Sequence, residues 1–417
     1  MLISILAAGS RGDVQPYIAL GVELKKAGQR VRIVTFKNFE NFITENGLEF
    51  VPIRGDINKI AASADLRHAG QADNPLKLLL SFKKLQALVF DLQTDFFEAC
   101  KGSDAIVYHP GAAIGYFIAQ QLGIPSILAT PFPMTATRAY PALIFYDTVR
   151  LGGAFNWATH KIFEQIMWMS GAPVKQFWQK QFGHAPANFG NPYTKQNTSK
   201  LPTITSCSNY VFPKPSDWPE HVYNTGYWFL PDDLTWKPSD ELRNFLAHGA
   251  PPVYVGFGSV GDPTQAEQTT QLVIKALRLA GQRGVLATGW NGMSKMETLP
   301  DDIFMLESAP HSWLFPRMAA VVHHGGAGTT AAGLSAGVPS VVIPFSNDQF
   351  AWARRVFELG VGPKPIRRKN LSAEKLAQAI QFSLTQNVRD AAQKLGENIQ
   401  SEDGAAAAAK VILTTLQ

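Results

Sequence analysis

"LISILAAGSRGDVQPYIALGVELKKAGQRVRIVTF", residues Leu2–Phe36, decides the architecture of the first half of the chain. Its opening apolar run is short and uncharged and ends in a glycine-containing turn, the pattern of a buried strand. The segment "VQPYIALGVELKKAG" then sets Ile18, Val22 and Leu24 near one face of a helix that stops at Gly28. "RVRIVTF" resumes a strand. A helix carrying Phe39, Phe42 and Ile43 and a strand "LEFVPI" complete a β-α-β-α-β unit, the signature of a doubly wound parallel sheet. "DAIVYH", a helix around Ala112–Leu122 and "PSILAT" continue the alternation.

The chain has 417 residues and a mass of 45.6 kDa, more than one ordinary core, and so divides into two domains of roughly 200 residues each. "PKPSDWPEHVYNTGYWFLPDD", Pro213–Asp233, is dense in proline and turn residues and reads as the linker. After it a second alternation begins. It runs through "PPVYVGFG", a helix Thr264–Ala280, the strands "GVLATG", "IFMLE" and "AAVVHH", a helix after Gly326, the strand "PSVVIPF" and a helix around Gln349–Leu359. The expected boundaries are a first Rossmann-like domain over 1–212, a linker over 213–235 and a second Rossmann-like domain over 236–395. The alanine-rich end, 396–417, reads as a helix that packs back on the first domain. The fold class expected is α/β, with two Rossmann-like domains facing a cleft.

Composition excludes several function classes. A hydrophobic share of 46% and a mean hydropathy of -0.05 are those of a folded globular chain. The net charge of +5 favours anionic partners, yet the Lys/Arg blocks that bind nucleic acid are absent, so a phosphorylated small molecule or an acidic membrane surface fits better. Two isolated cysteines, Cys100 and Cys207, suit a reducing compartment and build no metal site by themselves. The start "MLISILAAGSRGD" has no basic residue ahead of its apolar run and reads as a strand, not a signal peptide. The uncharged stretches Ala105–Thr137 and Met318–Asn347 are broken by His, Gly and Pro, which argues against a membrane span. The expected location is cytoplasmic, with peripheral contact at a membrane.

In open α/β sheets ligands sit beyond the carboxyl ends of strands, where glycine turns feed helix N-termini that attract phosphate. Three such turns stand out: "GSRGD" (Gly9–Asp13), "GFGS" (Gly256–Ser259) and "HHGGAGT" (His323–Thr329). A single glycine turn is equally a tight strand-to-helix connection. Two in one domain, beside paired histidines in a stretch without charge, point to a ligand.

The turn "GSRGDVQP" at Gly9–Pro16, together with "HHGGAGTTAAGLSAGVPSVVIPFSNDQ" at His323–Gln349, resembles the UDP-glycosyltransferase superfamily on the two-domain GT-B fold. The resemblance is greatest to the branch of sterol 3-β-glucosyltransferases and the bacterial enzymes that decorate antibiotics. It covers nearly the whole chain and is weakest between about Pro131 and Tyr210. It implies an inverting, metal-independent hexosyltransferase with a UDP-sugar as co-substrate and no cofactor. The donor site then comprises Gly12, Ser259, His311, His323, Gly325, Gly326, Ala327, Gly328, Thr329, Asp348 and Gln349. His323 would lie near the diphosphate, the amides of Gly326 to Thr329 on phosphate oxygens, and Asp348 with Gln349 on the sugar hydroxyls. "SAPH", Ser308–His311, would read the base through its backbone. Plant members carry a tryptophan where this chain has Ser308, which leaves Trp290 or Trp313 to stack on the base. Asp13 stands where plant members have a histidine base, and the resemblance makes it the base here. By its position alone it is equally an N-cap carboxylate.

From Phe132 to Phe182 eleven of fifty-one residues are aromatic, twice the chain average of 11%. Either this stretch covers the first core or it receives a lipophilic alcohol; on the second reading Phe132, Met134, Trp168, Phe177 and His109 form the acceptor side. Lys77, Lys83 and Lys84 would touch anionic lipid, or form an ordinary solvated face. The expected reaction moves glucose from UDP-glucose to a sterol-like hydroxyl as a β-glycoside. The rivals are the same chemistry on a polyketide, flavonoid, carotenoid or hydroxy-lipid, a nicotinamide-dependent oxidoreductase, and a non-catalytic nucleotide-sugar binder. Against the oxidoreductase, "GSRGD" lacks the Gly-x-Gly-x-x-Gly spacing and "VTFKNF" supplies no ribose-binding acid.

Overall fold

A computed structural model describes residues 1–56, 86–230, 236–258, 265–288, 293, 299–345 and 348–417. The chain divides into two compact units, Met1–Leu230 with Glu402–Gln417, and Pro231–Ser401.

The first unit is built on strands β1 (Leu2–Leu6), β2 (Arg30–Phe36), β3 (Glu49–Ile53), β4 (Ala105–Tyr108), β5 (Ser126–Thr130), β6 (Thr203–Thr205) and β7 (Val222–Asn224). Their order is β3-β2-β1-β4-β5-β6-β7, every pairing parallel. Parallel strands need both faces covered, and β1, β4 and β5 are accordingly buried at every position. The helix Arg11–Lys26 buries Ile18 and Leu24, while Val22 is half-buried at its margin. Helix Gly404–Leu416 packs against it through Ala405, Ala408, Ala409 and Ile412. At Gly404 a Cβ would stand 2.4 Å from the carbonyl oxygen of Tyr227, so only glycine lets the returning chain pass so close. Strand β7 lies inside the stretch whose prolines read as a linker. Pro213, Pro215 and Pro219 all precede it and leave Val222–Asn224 able to pair with β6.

The second unit carries β8 (Val253–Gly256), β9 (Gly284–Ala287), β10 (Ile303–Leu306), β11 (Ala320–His323) and β12 (Ser340–Val342), in the order β10-β9-β8-β11-β12 and again all parallel. In each sheet the chain winds outward through three strands and then returns to the other flank of the first. The switch points are therefore β1/β4 and β8/β11. Loops leaving the carboxyl ends of such a pair diverge and open a crevice there. The glycine turns singled out by sequence follow β1, β8 and β11.

Candidate functional site

In the second unit, β11 leads through His324, Gly325 and Gly326 into the helix Ala327–Ser335. Gly325 has φ +90°, and a Cβ there would come within 2.7 Å of Val342 Cγ1 and 3.1 Å of the Gln349 carbonyl oxygen. The turn thus lies directly on the start of the helix Gln349–Glu358. Gly326 is the N-cap and brings no side chain to its own helix end, and the first intrahelical bond runs from the Thr330 N–H to the Gly326 carbonyl. Ala327, Gly328 and Thr329 consequently present backbone N–H groups without an intrahelical acceptor, at the positive end of the dipole and with no acidic residue in the first turn. That is an anion-binding arrangement.

The two histidines part company. His323 ends β11 opposite Gly256, is fully buried, and its Nδ1 accepts the Gly325 N–H at 3.1 Å. Burial, helped by the neighbouring His324 and His311, pushes its pKa down to about 3. It props the turn from within as a neutral ring, and its Nε2 is buried without a hydrogen-bond partner. The next residue, His324, is half-buried and sits between two turns. The His324 ring fills the space left by two glycines, its Cε1 3.2 Å from where a Cβ of Gly258 would stand and its Nε2 2.5 Å from that of Gly326. It joins the turns after β8 and β11, and burial holds it neutral with a pKa of about 4. Successive strand residues point to opposite sides, so one histidine of the pair had to turn inward.

Asp348 and Gln349 stand beside the Gly325 turn. Asp348 Oδ2 accepts the Trp352 indole N–H at 3.0 Å, and Gln349 Oε1 accepts the Phe345 N–H at 2.8 Å. His311 opens the short helix His311–Leu314, with its ring stacked on Phe315 at 4.3 Å between centroids. Trp313 carries Arg317 over its ring at 4.3 Å and has Trp236 at 5.0 Å between centroids. Ser259, Trp290, Lys77, Lys83 and Lys84 lie outside the described residues.

In the first unit, Asp13 is the third residue of the helix that follows β1, and it closes a capping box with Ser10. Its Oδ2 accepts the Ser10 N–H at 2.8 Å and the Ser10 hydroxyl at 2.9 Å. Gly9, at φ +146°, is required for this: a Cβ there would overlap Asp13 Oδ2 at 2.3 Å. Gly12 is exposed in the same first turn. His109 follows β4, across the switch point, with Nε2 3.8 Å from Asp13 Oδ1. Phe132 lies two residues beyond β5, the neighbour of β4, and its ring meets Phe163 at 6.0 Å. Met134 and Phe177 are buried in the core, Phe177 between Phe97 and Trp178. Trp168 packs on Phe117 and Phe189. Asp13, His109 and Phe132 thus share one sheet edge, whereas Trp168 and Phe177 serve the packing of helices on the sheet face. Their aromatic partners, invisible as neighbours in sequence, account for them.

Among the described residues, no group of three or more His, Cys, Asp or Glu gathers where it could hold a metal ion, and no helix is long and apolar enough to cross a membrane.

Residues 3–141 match the glycosyltransferase family 28 N-terminal domain, and residues 281–413 match the erythromycin biosynthesis protein CIII-like C-terminal domain. The sterol 3-beta-glucosyltransferase UGT80B1 of Arabidopsis thaliana is 36% identical over 97% of this chain and 66% of its own length. The sterol 3-beta-glucosyltransferase of Neurospora crassa is 35% identical over 100% of this chain and 27% of its own. The chain therefore spans less than two thirds of the length of these relatives. Among solved structures, the glycotransferase of kitacinnamycin superposes with a TM-score of 0.73 at 21% identity, covering 100% of this chain and 99% of that one.

Proposed function

Since this chain belongs to the UDP-glycosyltransferase superfamily, in the branch of sterol 3-beta-glucosyltransferases and antibiotic glycosyltransferases, and has the GT-B fold, we propose that it is an inverting hexosyltransferase moving glucose from UDP-glucose to the hydroxyl of a sterol-like lipophilic alcohol. The observation that carries this reading is the uncapped glycine turn after β11, with His324 lodged between it and Gly258. Backbone amides of Ala327, Gly328 and Thr329 hold the diphosphate, with the His324 imidazole donating a further hydrogen bond. Asp348 and Gln349, docked beside the same turn, read the sugar hydroxyls, and His323 holds the turn from behind.

The first unit supplies the acceptor end. Ser10 occupies only Oδ2 of Asp13, and Oδ1 takes the acceptor proton. The acceptor oxygen bonds to the anomeric carbon, the bond from that carbon to the phosphate oxygen breaks, and UDP leaves with the electron pair, its charge met by the amides and the helix dipole. Attack opposite the leaving group turns an α-linked donor into a β-glycoside. No step calls for a metal ion or a further cofactor. Phe132 borders this edge as acceptor wall. Exposed Val149, Leu151, Trp157 and Ile162 fit peripheral contact with a membrane, where such acceptors reside, and two buried cysteines outside any disulfide, Cys100 and Cys207, fit the cytoplasm. Asp13→Asn tests the reading: UDP should bind as before while turnover with any accepted alcohol falls by roughly 10²-fold or more. Full turnover in that variant removes Asp13 as base.

A further inference from the structure

An ionised carboxylate offers about four lone-pair positions. On Asp13 two are taken, both on Oδ2, by the Ser10 N–H and hydroxyl. Oδ1 faces His109 Nε2 at 3.8 Å, beyond a direct hydrogen bond. His109 Nδ1 accepts the Gly111 N–H at 2.9 Å, which fixes the tautomer: the proton of the neutral ring sits on Nε2. Burial favours that neutral ring, against the weaker pull of the Asp13 charge. The Nε2 atom is buried without a hydrogen-bond partner, and leaving a buried donor unmade is costly. The ring has little freedom to seek another acceptor. It packs edge-on against Tyr17 at 5.6 Å, and Tyr17 is itself tied through its hydroxyl to the Ala129 carbonyl oxygen at 2.6 Å.

We propose that His109 is a positioning residue for the base: when the acceptor binds, the Asp13 carboxylate closes onto the His109 Nε2–H, which occupies one of the two positions of Oδ1 and leaves the last for the acceptor hydroxyl. Catalytic hydrogen bonds that are long in a free enzyme commonly tighten in the reactive complex. His109 keeps its proton throughout. The acceptor O–H bond breaks, its proton passes to Asp13 Oδ1, and the oxygen's electron pair forms the new glycosidic bond. What His109 supplies is the rotation of the carboxylate about its own axis, which Ser10 alone fixes from one side only. The sequence separates the partners by ninety-six positions, and the β1/β4 switch point brings them together.

This inference rests on Asp13 being the base, and three variants separate the two claims. His109→Phe keeps a ring against Tyr17 and removes both nitrogens. His109→Asn retains a side-chain oxygen for the Gly111 N–H but ends short of Asp13. His109→Gln carries an amide N–H out to about the position of Nε2. Phe and Asn should lower kcat by about 10²-fold, the effect of a misplaced reacting group, with the acceptor KM and UDP affinity within about twofold of the parent. Gln should recover most of kcat. If Asn is as active as the parent, the histidine serves the Gly111 loop only and the proposal is overturned. Equal losses in all three variants, or losses confined to KM, overturn it as well. Should Asp13→Asn retain full turnover, the base assignment itself fails, whatever His109 does.

Discussion

Replacing His324 by alanine separates a donor-contacting histidine from a propping one. Its imidazole lies between Gly258 and Gly326, and its Nδ1 is buried without a protein partner. A hydrogen bond to a charged group contributes about 1.5–3 kcal/mol. At about 1.4 kcal/mol per tenfold, loss of that bond raises the Kd of UDP by about 10- to 150-fold. UDP-glucose should weaken by the same factor, because the contact is to the diphosphate common to both. The neighbouring His323→Ala takes a fully buried ring out of the second core and unties the Gly325 N–H. It should cost stability on the order of 3 kcal/mol, with a smaller effect on UDP once folded. Calorimetry with UDP and with UDP-glucose, beside thermal unfolding of both variants, reads the two effects apart. If His323→Ala abolished UDP binding in a fully folded protein while His324→Ala bound UDP like the parent, the assignment of inner and outer histidine would be refuted.

Gly9→Ala should lower turnover strongly and leave UDP affinity unchanged, since the new methyl would displace the Asp13 carboxylate by overlap with Oδ2 at 2.3 Å; initial rates beside a UDP titration check it, and an unaffected rate contradicts it. Gln349→Ala should weaken UDP-glucose more than UDP and relax discrimination among hexoses, although losing the 2.8 Å tie to the Phe345 N–H will also loosen that turn; equal weakening of both ligands removes it from the sugar. Burial depresses His160 to about 4, His323 to about 3 and His324 to about 4, against about 6.5 in the unfolded chain. Folded values below the unfolded one mean that unfolding takes up protons, so this contribution is complete above about pH 6.5 and is lost as pH falls toward about 4. Urea midpoints should therefore drop between about pH 7 and pH 5; a flat midpoint contradicts the burial.

Much of this was legible in the chain itself. Short apolar runs alternating with amphipathic stretches spelled out the second sheet and β1 to β5 of the first, and the glycine turns marked both switch points. The rest was not legible, for physical reasons. Adjacent His323 and His324 are equivalent to any reading of composition, and their different burial depends on where β11 ends. Aromatic density from Phe132 to Phe182 cannot distinguish a wall from a core, because the partners that claim Trp168 and Phe177 include Phe97 and Phe117, far earlier in the chain. Strand β7 is three residues long and gains its stability from pairing with β6, a non-local term that proline content masks. Asp13 was legible both as cap and as base, and it serves the cap with one oxygen only.

The most direct measurement is product analysis. Purified protein is incubated with UDP-glucose and a panel of sterols, flavonoids, polyketides and hydroxy-lipids, and the products are resolved by mass spectrometry and by the anomeric coupling in proton NMR. The account predicts a sterol-type glucoside with β configuration at the new bond, formed with release of UDP and lost in the Asp13→Asn variant. An α-glycoside, or release of UDP with no alcohol of the panel consumed, would contradict it.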